Sequence, residues 1–102
     1  MYTIRYTPEF SHWFASLRDR TVKQRLSARL RKVSLGNFGD VKSVGEGVSE
    51  LQEHLGAGWR MYFVQRGQVL VVMLGGGSKA TQAADIAKAK EVAASLNEEN
   101  EA

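Results

Sequence analysis

Cysteine is absent from the 102 residues, which excludes disulfides, thiolate zinc sites and a cysteine nucleophile and permits a reducing compartment. Long apolar runs are lacking too: the longest, Val69 to Leu74, is far too short to span a bilayer. The N-terminus opens on a strand-like segment rather than a signal-peptide core, so the expectation is a cytoplasmic protein with no membrane partner. Proline occurs once, at position 8, so little interrupts regular structure. Acid is scarce where base is dense: Arg18, Arg20, Lys23, Arg25, Arg29, Arg31 and Lys32 face only Asp19. The formal charge is +3, but Glu98, Glu99 and Glu101 mask a balance of +6 over residues 1–97, where 14 Lys and Arg meet 8 acids. Such a concentration fits either an acidic, phosphate-rich partner or a solvated helix face.

At 102 residues, 43% of them hydrophobic and 25% charged, the chain has the composition of one globular domain. Residues 1–97 are expected to form it and 98–102 an acidic tail. Tyr2 to Tyr6 reads as a strand, and Thr7-Pro8 as an N-cap followed by proline at the first helical position. Phe10, Trp13, Phe14 and Leu17 recur at helical spacing, as do Val22, Leu26, Leu30 and Val33 after the Arg18-Asp19-Arg20 break. Together they predict a helical hairpin that ends near Gly36-Asn37, a pair suited to a left-handed C-cap.

Asp40 to Gly47 reads as a short extended piece and a turn. Three strands follow: Ser49 to Leu55, Trp59 to Gln65 and Gln68 to Leu74, linked through Gly56-Ala57-Gly58 and Arg66-Gly67. Gly75-Gly76-Gly77-Ser78 is expected to close the last strand in a turn, before a helix whose inner face is Ile86, Ala89, Ala93 and Leu96. The order β-α-α-β-β-β-α predicts an α+β domain, an N-terminal strand and helical hairpin packed on a mostly antiparallel sheet with a C-terminal helix. The face of the sheet away from the hairpin is expected to be open. Alternation puts Glu50, Gln52, His54, Arg60 and Tyr62 on it, whereas Trp13, Phe14, Trp59 and Phe63 read as core.

Two blocks carry a family resemblance. One is Glu50-Leu51 with His54-Leu55-Gly56-Ala57-Gly58-Trp59-Arg60-Met61-Tyr62-Phe63; the other is Gly75-Gly76-Gly77-Ser78-Lys79 with Gln82, Asp85-Ile86 and Ala89-Lys90. Between Tyr2 and about Ala94 the chain resembles the RelE/ParE superfamily of type II toxins, in its HigB-like branch of addiction-module killer proteins. It departs from that pattern at Gln52, where the branch commonly carries arginine, and at Ala80, where serine or threonine is usual. The resemblance implies a RelE-like fold and a toxin that cleaves messenger RNA on the translating ribosome. It also implies a cognate antitoxin, typically a helix-turn-helix protein. ParE-like relatives share the fold but poison DNA gyrase, and a homologue that keeps antitoxin binding while losing cleavage is a third reading.

Metal-free RNA cleavage needs a base for the 2′-hydroxyl, an acid for the departing 5′-oxygen and positive charge around the phosphorane. Arg60 suits the last role, since a guanidinium grips two phosphate oxygens at once, although it has an alternative in cross-strand pairing with Glu50. On the resemblance Lys79 is a phosphate ligand or proton donor; on its own it is as readily a solvated lysine after a glycine turn. Glu50 and His54 are the acid-base candidates, with a structural role open for the histidine. Gln82 orients a base or phosphate or else caps the last helix, and Tyr62 is placed to stack on a base. Gln52 and the hairpin cations Arg18, Arg20, Lys23 and Arg25 complete the candidate RNA contacts. No cofactor or metal is expected, because the two histidines stand apart from any carboxylate pair at ligand spacing. Replacing Arg60 is expected to leave the core packing nearly intact.

Overall fold

A computed structural model of the chain describes the backbone of residues 1–101 and the side chains of residues 1–96. The side chains of the acidic tail lie outside the described residues. The elements are β1 (Thr3–Tyr6), α1 (Pro8–Ser16), α2 (Arg20–Ser34), β2 (Val41–Gly45), β3 (Val48–Glu53), β4 (Trp59–Arg66), β5 (Leu70–Ser78), a single 3₁₀ turn (Lys79–Thr81) and α3 (Gln82–Glu101). No helix among the described residues is long and apolar enough to cross a membrane.

Local chemistry starts both hairpin helices. Thr7 Oγ1 accepts from the Phe10 amide at 3.1 Å and donates to the Met73 carbonyl at 2.8 Å, so one side chain caps α1 and ties it to β5. Asp19 caps α2 by accepting from the amides of Thr21 and Val22. Gly36, with φ of 93°, takes the left-handed conformation after α2 that the Gly36-Asn37 pair predicts.

The five strands form one sheet in the order β1-β5-β4-β3-β2. β1 runs parallel to β5, and every other pairing is antiparallel. Phe10, Val22, Leu26, Leu30 and Val33 of the hairpin bury against Leu51, Met61, Phe63, Val71 and Met73. On the reverse face Val48, Tyr62, Val64, Val72 and Leu74 bury against Ala89, Val92 and Ala93 of α3. That face is therefore not open, contrary to the expectation from alternation. The sheet carries apolar residues on both sides, and α3 covers the second set because its own apolar stripe must be buried as well.

The glycine run also departs from expectation. β5 does not end at Leu74 but continues to Ser78, pairing Gly75 with Tyr62, Gly76 with Met61, Gly77 with Arg60 and Ser78 with Trp59. None of the three glycines has positive φ, so what they supply is space. A Cβ on Gly76 would lie 2.5 Å from the ring of Trp13, and one on Gly77 would collide with the Asp85 carboxylate.

Candidate functional site

Glu50, near the middle of β3, is fully buried and anionic. It sits opposite Tyr62 on β4 and opposite Lys42 on β2. Gln52 Nε2 donates to Glu50 Oε1 at 2.8 Å, while Tyr62 Oη and Gln82 Nε2 donate to Oε2 at 3.0 and 2.9 Å. Two cations flank the carboxylate, Lys42 Nζ at 3.8 Å from Oε1 and Arg60 Nε at 3.7 Å from Oε2. Burial by itself pushes the Glu50 carboxyl up, but the bonds from Gln52, Gln82 and Tyr62 and the charge of Lys42 outweigh it and hold the carboxyl below the ordinary glutamate value. For Tyr62 the balance runs the other way. Burial, then the bond to Glu50 and the charges of Glu50 and Asp85, raise its phenol well above the usual tyrosine range. A carboxylate so supplied with donors is a weak proton acceptor, and it organises the side chains around it.

Arg60 leaves β4 beside this carboxylate with its side chain 11% exposed. Nη1 donates to the Gly58 carbonyl at 2.9 Å, whereas Nε is buried and has no hydrogen-bond partner. Gly58 takes a left-handed conformation at φ 74°, and a Cβ there would stand in ordinary contact, 3.4 Å, with both Arg60 Nη1 and Lys79 Cβ. The Lys79 amide donates to the Ala57 carbonyl at 3.3 Å, fixing the first residue after β5 against the β3–β4 loop. Lys79 thus follows a strand end rather than a glycine turn, and its side chain is exposed. Arg60 lies outside both apolar clusters, and its replacement leaves the buried Glu50 with one flanking cation fewer.

His54 does not share the face of Gln52, because β3 ends at Glu53 and the chain turns, with the Leu55 amide donating to the Glu53 carbonyl. The histidine is exposed, and its Nε2 lies 2.7 Å from Asp40 Oδ2. Arg60 Nη1 and Lys79 Cβ both lie beside Gly58, while His54 pairs with Asp40 just after the end of β3. Gln82 turns inward to Glu50, and Tyr62 is wholly buried beneath α3, which removes its face from stacking on a base.

Of the hairpin cations, Arg18, Arg20, Arg25, Arg31 and Lys32 are exposed and Lys23 is half-buried. Arg29 is different. It donates to the carbonyls of Phe38, Asp40 and Gln52 and lies 3.6 Å from Glu53. The basic run conceals this structural arginine, although its place on the Val22, Leu26, Val33 stripe is the signal that marks it. Lys42 was missed because the β2–β3 pairing that brings it to Glu50 has no strong alternation in sequence.

No family model matches the chain. A Haemophilus influenzae protein of uncharacterized role is 41% identical over 93 residues, spanning 91% of this chain and 94% of that one. This chain belongs to the same family. Among solved structures, a chain of the intact E. coli RelBE toxin-antitoxin complex superposes with a TM-score of 0.62 at 18% identity, covering 76% of this chain and 96% of that chain. The fold is RelE-like, an α+β sheet with a helical hairpin and a C-terminal helix.

Proposed function

We propose that residues 1–97 form the toxin of a type II toxin-antitoxin pair, in the HigB-like branch of the RelE/ParE superfamily, and that it cleaves messenger RNA on the ribosome by metal-free attack of the 2′-hydroxyl. The observation that carries the reading is that Arg60 Nη1 and the root of the Lys79 side chain both lie beside Gly58, with Arg60 backed by the buried Glu50. Arg60 keeps donors for a phosphorane oxygen, and an arginine held by protein contacts needs little reorganisation when charge develops there. Lys79, exposed beside it, takes a second phosphate oxygen or protonates the leaving 5′-oxygen. Asp40 holds His54 as an oriented imidazole and makes it the base candidate; Glu50 serves as a positioning residue. The pairing of Arg60 with Lys79 favours this reading over gyrase inhibition, which would leave those two residues without a common purpose. The RelBE likeness supports an antitoxin as partner, and the exposed hairpin cations suit an acidic one.

The test is induction of the chain in bacteria with transcript ends mapped, for wild type, Arg60→Ala and Arg60→Lys. Wild type is expected to arrest growth and leave codon-linked ends. Arg60→Ala should lose about a hundredfold to a thousandfold in cleavage rate, and Arg60→Lys should recover only part because an ammonium lacks the two-point fork. Antitoxin binding reports whether each variant is folded. Intact transcripts with DNA damage would establish the gyrase reading in its place, and a folded Arg60→Ala protein of full toxicity would overturn the site.

A further inference from the structure

The candidate site holds more positive charge than its own carboxylate neutralises, and the surplus has a direction. Lys42 on β2 stands opposite Glu50, Glu50 opposite Tyr62, and Tyr62 opposite Gly75, so a single row crosses four strands. Directly opposed residues of antiparallel strands share a face. Lys42 therefore shares the face of Glu50 and Tyr62, one row from the pair of Gln52 and Arg60.

Its environment differs from that of the carboxylate it faces. The Lys42 side chain is 56% exposed, whereas Glu50 is 0% exposed. Their separation of 3.8 Å is that of an ion pair and exceeds hydrogen-bond range, so the three N–H donors of the ammonium remain available to a ligand. Glu50 already accepts from Gln52, Tyr62 and Gln82. Glu50 and, at Gly77 opposite Arg60, Asp85 supply two negative charges against Lys42, Arg60 and Lys79, leaving a net excess of one positive charge. Gln52, paired with Arg60, is neutral, so β3 itself presents no cation there and the edge strand β2 does. Two cations set against the two oxygens of a single carboxylate form a short basic track, which suits a backbone that carries one charge per nucleotide.

We propose that Lys42 is a substrate-binding residue that contacts an RNA phosphate neighbouring the one held by Arg60 and Lys79. This rests on the ribonuclease reading, extending the site from β4 and β5 out to the edge of the sheet. The ligand is single-stranded RNA in extended form, bound through its backbone and without base preference at Lys42.

The experiment measures affinity for a single-stranded oligonucleotide of about ten 2′-O-methyl nucleotides, in which the attacking hydroxyl is blocked, as a function of salt. Each phosphate contact on a single strand contributes about 0.7 to the slope of log affinity against log salt. Lys42→Gln should lower the slope by about that amount, Lys42→Arg should retain it, and Arg5→Gln on the opposite edge strand should leave it unchanged. If Lys42 only screens Glu50, Lys42→Gln will reduce the thermal midpoint with no change in slope; that result overturns the proposal and leaves the ribonuclease reading standing. Failure of the wild type to bind the oligonucleotide at about 10 mM salt, where long-range screening is weak, would remove the nucleic-acid reading and Lys42 with it.

Discussion

Burying a glutamate costs several kcal/mol unless its oxygens are supplied with donors, and Glu50 accepts from side chains of β3, β4 and α3 with the charge of Lys42 on β2 nearby. The network has a pH signature. A carboxyl held below its ordinary value in the folded state favours folding above the unfolded pKa, and that contribution is lost as pH falls from the ordinary glutamate value of 4.5 through the lowered one. Glu50→Gln should be less stable than wild type at pH 7, and the gap in thermal midpoint should narrow as pH falls from 5 toward 3. Other carboxyls titrate in both proteins and cancel, so a gap independent of pH would show that Glu50 is not an ionised hub. Arg29 belongs to the same scale. Arg29→Ala leaves the carbonyls of Phe38, Asp40 and Gln52 short of a donor and should cost about 2–4 kcal/mol, a fall in thermal midpoint of at least about 10 °C. Arg25→Ala, one turn earlier and exposed, should stay within about 0.5 kcal/mol. Arg60, Lys79, Glu50 and Gln82 were legible as a candidate group from the motif they occupy. Their mutual arrangement was not, because it depends on a carboxylate that adjacent residues in sequence do not touch.

Among the elements, β5 shows how composition misleads. Three successive glycines read as a turn because glycine has poor strand propensity, yet they extend β5 for four more residues along β4. What decides the matter lies elsewhere in the chain: the indole of Trp13 fills the space above Gly76, and Asp85 closes on Gly77. Gly76→Ala should cost about 1–3 kcal/mol as an overpacked contact. Gly75→Ala, with nothing within 4 Å of its added carbon, should change stability by less than about 0.5 kcal/mol. Thermal unfolding of the two variants checks the contrast, and equal losses would place the constraint in the strand backbone rather than in Trp13. Helices α1 and α2 were read correctly to within a few residues since their caps and stripes are local. The strand limits were less secure, and His54 fell outside β3 by a single residue, which was enough to break its alternation with Gln52.

For the whole molecule, the face expected to be open is the one that α3 covers, and exposed basic groups lie on the α2 surface, at Lys42 and Lys79, and also at Arg5, Arg18 and Lys88. Much of the charge therefore lies outside the candidate site. The two roomy grooves, of about 430 and 440 Å³, are lined by α1, α2 and β1 and by α1, β5 and α3, and neither includes Arg60 or Lys79. On the proposed ribonuclease reading, purified protein should cut naked RNA slowly and ribosome-bound messenger quickly, with the ribosome supplying the alignment. Comparison of the two rates on one message checks this, and equal rates would show that the site needs no external template.

The sequence by itself determined the two capped helices, the α+β class and the order of elements except for β2, which reads as an extended piece and a turn, because caps, turns and helical periodicity are written within a few neighbouring residues. Only the tertiary structure decided that β1 runs parallel to β5, that β2 delivers Lys42 to Glu50, and that α3 closes the second face. These join segments far apart in the chain, where pairing is chosen by which surfaces bury each other rather than by the preference of either segment alone.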